Sequence, residues 1–110
     1  MTAWLMLAGA VAAEVIATLA LRSSAETFRP LTTMLVIAGY GTAFALMGGA
    51  LRTLNVGIVY AVWSGVGTAA VAIAAAFLFG EHLNLTAIAG MALVVIGVVL
   101  MAFSGATTHA

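Results

Sequence analysis

Four apolar stretches, each about the length of a membrane-crossing helix, constrain this chain more than any other feature. A spanning helix needs about 20 mostly apolar residues. The sequence supplies runs at about 3–21, 31–51, 56–79 and 85–103. The connectors at 22–29, 52–55 and 80–84 collect five of the six charged residues: Arg22, Glu26, Arg29, Arg52 and Glu81. The sixth, Glu14, lies inside the first stretch. Strands do not fit. The runs are too long, and a membrane barrel would show alternating segments of about ten residues. The predicted fold class is therefore all-α, with four transmembrane helices in a single domain over 1–110, solvated by lipid. Pro30 near the start of the second run agrees, since proline is tolerated in a first helical turn.

Charge excludes several function classes. Only 5% of residues are charged and 65% are hydrophobic, whereas a soluble domain carries about 25% charged residues. Net charge is zero, so nucleic-acid binding has no electrostatic basis. There is no cysteine, which rules out disulfides and thiolate metal sites. His82 and His109 stand apart, in a connector and in the tail, and read as solvated surface residues rather than metal ligands. No nucleophile, base and orienting group occur together, so an enzyme is not expected, nor is a cofactor. The first stretch lacks the positive flank of a cleaved signal peptide and carries Glu14 in mid-run, so it reads as a retained helix. The tail 104–110 is small and polar and is expected to fray.

Glu14 is the candidate functional centre. A carboxylate at mid-membrane costs about 2.5 to 3.5 kcal/mol on insertion scales. Burial opposes its charged form, so it is neutralised by a proton or by a cation beside it. No Lys or Arg lies within a span to supply that cation. If the group holds a proton or a foreign cation but not both, that competition couples proton influx to cation efflux, given a protein that alternates its access. An inert protonated Glu is the plain alternative. Leu7, Ala10, Val11, Ala17 and Thr18 share the face of Glu14 by steps of three, four and seven. The small residues Ala10, Ala13 and Ala17 leave space around it or admit another helix.

The aromatic residues suggest how a cation would be received. Trp4 fits an interface anchor. Tyr40 lies about ten residues into the second span, with Phe44 one turn on. Tyr60 and Trp63 share a face of the third, which Gly67 continues. Trp63 is about 10 Å along its helix at 1.5 Å per residue. Aromatic faces attract organic cations by about 0.5 to 2 kcal/mol each, although packing between helices explains the same spacing. Gly65 and Gly67, two apart, permit a kink or close packing. Gly90 and Gly97 form a small-residue seam on the fourth span, suited to a dimer contact or to packing within one subunit. Arg22 and Arg29 on one side against Arg52 on the other are a weak orientation bias. Such a chain can insert both ways round, which permits an antiparallel dimer. One subunit lines only half a pathway; two would bring two Glu14 residues to one chamber.

These residues together resemble the small multidrug resistance transporters, over essentially the whole chain. The resemblance is carried by Ala13-Glu14-Val15, by Tyr40 and Phe44, and by Gly57-Ile58-Val59-Tyr60-Ala61-Val62-Trp63-Ser64-Gly65. It continues through Gly80-Glu81, Gly90-Met91 and Gly97-Val98. It implies proton-coupled antiport of hydrophobic or quaternary ammonium cations by an antiparallel homodimer in a bacterial inner membrane. The shared proton and substrate carboxylate maps onto Glu14, and the aromatic binding residues onto Tyr40, Tyr60 and Trp63. The kink glycines map onto Gly65 and Gly67, and the dimer seam onto Gly90 and Gly97. The first connector departs from the family pattern: Arg22-Ser23-Ser24-Ala25-Glu26-Thr27-Phe28 lacks its glycine. Asn55 stands where proline is common. Guanidinium exporters of the same scaffold tend to have small polar residues before the Glu. Ala10 and Ala13 here, with Ile16 after it, favour the drug-type branch. A guanidinium exporter and a nontransporting membrane subunit are the alternatives.

Overall fold

The computed structural model describes residues 2–25, 27, 29–105 and 107–108. Glu26, Phe28 and His109, named above, lie outside them. Four helices run in order: α1 (Thr2–Ser24), α2 (Pro30–Ala50), α3 (Val56–Leu78) and α4 (Leu85–Ala102). All four are long and apolar enough to cross a membrane, and no named strand occurs among the described residues. This is a multi-pass, all-α membrane protein.

Local chemistry sets the helix ends. Arg29 is extended and Pro30 opens α2, where its fixed φ suits a first turn and its missing N–H costs nothing. Asn84 caps α4: its side-chain oxygen accepts the Ala87 N–H at 2.8 Å, satisfying a donor that the helix start leaves unpaired. After α3, Gly80 takes φ +66°, a left-handed turn that glycine enters without a Cβ penalty. The Glu81 amide then reaches back to the Ala75 carbonyl at 3.5 Å. α1 continues three residues beyond Leu21. The Ser24 hydroxyl donates to the Leu21 carbonyl at 3.1 Å, and Arg22 in the last turn complements the negative helix end.

The connectors pair across the ends of the molecule. Arg22 Nε lies 3.5 Å from Glu81 Oε2, and its guanidinium stands 4.8 Å from the centre of the Phe79 ring. The first and third connectors are thus on one side. At the opposite end, where fraying is expected, the described tail residues Thr107 and Thr108 pair with the chain. The Asn55 N–H donates to the Thr107 carbonyl at 2.8 Å, and Leu54 and Thr108 form an antiparallel bridge. Asn55 precedes α3 with no side-chain cap, so the tail supplies the acceptor. Gly105, at φ +86°, turns the chain back toward it.

The core gathers at that same end. Ala3, Leu7 and Val11 of α1 pack with Ala50, Leu54 and Val59, and Trp4, Val62 and Trp63 lie against them. Trp4 is half-buried there. The Cα envelope measures 46 × 34 × 16 Å. That thickness is far short of a closed bundle, so the four helices form a slab. α1 packs on α2 and α3, and α4 leans on α3. No residue of α4 is buried.

Gly65 sets that last contact. A Cβ there would stand 2.7 Å from Val98 Cγ2 and 3.0 Å from Val94 Cγ1. Without side chains to hold helices apart, backbones approach and dispersion contacts accumulate. α3 is continuous through Gly65 and Gly67, so close approach is what these glycines provide in this conformation. Gly90 and Gly97 meet nothing within 4 Å, and their seam is unfilled within the subunit. Gly65→Ala should lower the thermal stability of the purified protein, by about 1 to 3 kcal/mol for overpacking. Adding Val98→Ala should recover most of that loss; an unchanged melting temperature in the single variant would contradict the contact.

Candidate functional site

A cavity of about 520 Å³ lies between α1 and α3, lined by Glu14 and Thr18 on one side and by Tyr60, Trp63, Ser64, Gly67, Thr68, Val71 and Ala72 on the other. That volume falls in the range of small-molecule sites, about 300 to 1,000 Å³. Its wall is mostly apolar, with one carboxyl group and a few hydroxyls.

The two oxygens of Glu14 differ. Oε1 accepts a hydrogen bond from the Thr18 hydroxyl at 3.2 Å. The Thr18 oxygen lies 2.7 Å from the Tyr40 hydroxyl. A threonine hydroxyl has one proton. With that proton on Glu14, Tyr40 donates to Thr18, and the relay runs from α2 through α1 to the carboxylate. Oε2 is covered and has no hydrogen-bond partner. It lies against the bare backbone of α3, where a Cβ on Gly67 would stand 2.8 Å away. One oxygen is thereby oriented and the other is left without a partner. No Lys, Arg or His among the described residues pairs with the group.

The aromatic residues surround the cavity unequally. The Trp63 ring meets Phe44 edge-on at 5.4 Å and Tyr60 at 6.4 Å. The Trp63 indole nitrogen is covered and unpartnered. Tyr60 is 63% exposed and lines the cavity; Phe44 of α2 meets Trp63 without lining the cavity. Tyr40 does not line the cavity, and its hydroxyl meets Thr18. These are edge-to-face arrangements, the geometry that ring quadrupoles favour.

Several expected positions fall elsewhere. Leu7 and Ala10 share the Glu14 face but do not line the cavity. Leu7 is 1% exposed within the core and Ala10 is fully covered. The cavity extends along α1 from Glu14 toward Thr18, and the core closes the preceding turns. Gly90 and Gly97 are remote from it, on α4. The helical period from Tyr60 would have found Ser64, Thr68 and Ala72, each four residues on, which residue chemistry alone did not single out. The Ser64 hydroxyl is turned to its own helix, donating to the Tyr60 carbonyl at 2.7 Å.

Comparison with known proteins gives the family. Residues 2–94 match the family model described as Small Multidrug Resistance protein. A multidrug transporter of Pseudomonas aeruginosa is 44% identical over 110 residues, 99% of this chain and 100% of the relative. The quaternary ammonium compound-resistance protein QacF of Klebsiella aerogenes is 44% identical over 98 residues, 89% of each chain. The corresponding QacE of Escherichia coli is 41% identical over 110 residues, 99% of this chain and 100% of the relative. None of the three is named as an enzyme.

The asymmetry of the carboxyl group has a direct spectroscopic consequence. Thr18→Val keeps the side-chain shape and removes the donor to Oε1. The infrared carboxyl bands of Glu14, assigned by their loss in Glu14→Gln, should move in Thr18→Val and in Tyr40→Phe. Bands unchanged in both variants would show that the relay does not act on Glu14.

Proposed function

The chain belongs to the Small Multidrug Resistance family, and on that premise we propose that it exports lipophilic organic cations, quaternary ammonium compounds among them, in exchange for protons. The observation that carries this reading is Glu14: one oxygen held by Thr18, the other unpartnered, beside an aromatic-walled cavity. A carboxylate in such a place requires a proton or a cation, and no cationic side chain among the described residues pairs with it.

The exchange follows from that requirement. With a proton, Glu14 is neutral and a cation gains little by approaching it. With the proton released, the carboxylate attracts the cation, while Trp63 and Tyr60 offer their faces to its apolar groups. Occupancy of one excludes the other, so a cycle that carries protons inward carries cations outward. Thr18 and Tyr40 orient the carboxylate throughout. Specificity is broad, because ring faces and one charge impose few directional demands. Leu7 and Ala10, buried in the core, lie outside the cavity wall.

The slab shape points to a second copy. The subunit is thin, and α4 presents an unburied seam at Gly90 and Gly97. We infer an antiparallel homodimer in a bacterial inner membrane, with the two Glu14 cavities facing one chamber. Relatives from three bacteria named for multidrug transport or quaternary ammonium resistance support the drug-type reading over guanidinium export.

Proteoliposomes loaded with acid should accumulate an external quaternary ammonium dye when they hold the wild-type protein. Glu14→Gln should show no accumulation above empty vesicles. Uptake at the wild-type rate in that variant would refute the shared-site reading. Faster uptake of guanidinium than of the dye by the wild type would select the guanidinium alternative, and no uptake of either would favour a nontransporting subunit.

A further inference from the structure

We propose that Gly39 is a positioning residue for the Glu14 carboxylate, acting through the packing of α2 on α1 that brings Tyr40 to Thr18. The proposal rests on the reading that Glu14 receives the cation. A Cβ added at Gly39 would stand 2.8 Å from Ala17 Cβ, 3.5 Å from Ala17 Cα and 3.3 Å from the Ala13 carbonyl oxygen. The backbone of α2 therefore lies directly on α1 between Ala13 and Ala17, and Ala17 is fully covered.

The residues that make this contact stand immediately before the residues that make the relay. Ala13 precedes Glu14, Ala17 precedes Thr18, and Gly39 precedes Tyr40. Successive helical residues are turned by about 100°, so the packing face and the relay face adjoin along both helices. The distance between the helix backbones then fixes the Tyr40 to Thr18 separation, which is 2.7 Å. A hydroxyl pair has little tolerance in that distance, because hydrogen bonds weaken steeply outside a narrow range. A methyl group at position 39 meets backbone as well as a rigid Cβ, and neither can rotate away. The helices must separate, and Tyr40 is the first polar group to lose its partner. Nearby Gly41 is the internal contrast: a Cβ there meets nothing within 4 Å.

The test uses the full-length protein purified in lipid, with tetraphenylphosphonium as probe at an alkaline pH where protons compete least. Gly41→Ala should bind as the wild type does. Gly39→Ala should bind about tenfold more weakly, the scale of one lost hydrogen bond in a charge-linked relay. Adding Ala17→Gly, which removes the opposing methyl, should restore most of that affinity. In a Tyr40→Phe background, Gly39→Ala should cost less than about twofold, because the relay is already broken. The nuclear magnetic resonance signals of the Tyr40 ring should shift in Gly39→Ala and return in the Ala17→Gly double variant. That readout tests the positioning independently of where the cation binds. If wild type and Glu14→Gln bind the probe equally, the function reading fails while the Tyr40 shift still judges the packing. If Gly39→Ala fails to fold, recovery of fold and affinity by Ala17→Gly tests the same contact. Wild-type affinity in Gly39→Ala overturns the proposal. So does an equal loss in the Tyr40→Phe background, or the absence of rescue by Ala17→Gly.

Discussion

A carboxyl group inside hydrocarbon must have its charge neutralised, and the rest of this structure is arranged around how that is done for Glu14. No cationic side chain among the described residues pairs with it, as one would with a purely structural ionisable residue. Thr18 holds one oxygen, Gly67 makes room for the other, and α3 supplies aromatic faces alongside. In the proposed function a proton and an organic cation are alternatives there. The cost of placing a carboxylate there is met in a different form in each state of the proposed cycle.

Small residues make the arrangement possible. Helices in lipid gain nothing from excluding water between them, so they associate by close backbone approach. Gly39 brings α2 against α1, Gly65 brings α4 against α3, and Gly67 brings α3 against the carboxylate. Each sits where a single methyl group would collide with a neighbour. The result is a thin subunit with its core at one end. The ion pair of Arg22 and Glu81 joins the connectors at the other end, and the cavity between α1 and α3 extends toward the turn that follows Thr18. The unfilled seam of α4 leaves an apolar surface for lipid or for another copy.

Much of this was legible in the sequence. Run length and charge placement marked four helices, and Pro30 and the connector residues placed their ends to within a few positions. Glu14 was conspicuous because one charge in an apolar run is expensive. Tyr60 and Trp63 were legible from their shared face. Leu7 and Ala10 misled because helical period reports a direction and not a depth: the same face that opens at Glu14 is sealed two turns earlier by Leu54 and Val59. The tail pairing at Leu54 and Thr108 left no pattern, since a backbone bridge makes no demand on side chains. Gly39 was equally silent, because a contact between two helices depends on their register, which one sequence does not state. Phe44 and Tyr40, marked as binding residues, do not line the cavity; Phe44 meets the Trp63 ring and Tyr40 meets Thr18.

The central claim is that proton and cation compete for Glu14. It is tested most directly by proton release. A quaternary cation added to the concentrated, unbuffered protein should release protons. The amount should rise with occupancy and vanish in Glu14→Gln. Full cation binding by the wild type with no proton released would contradict the claim.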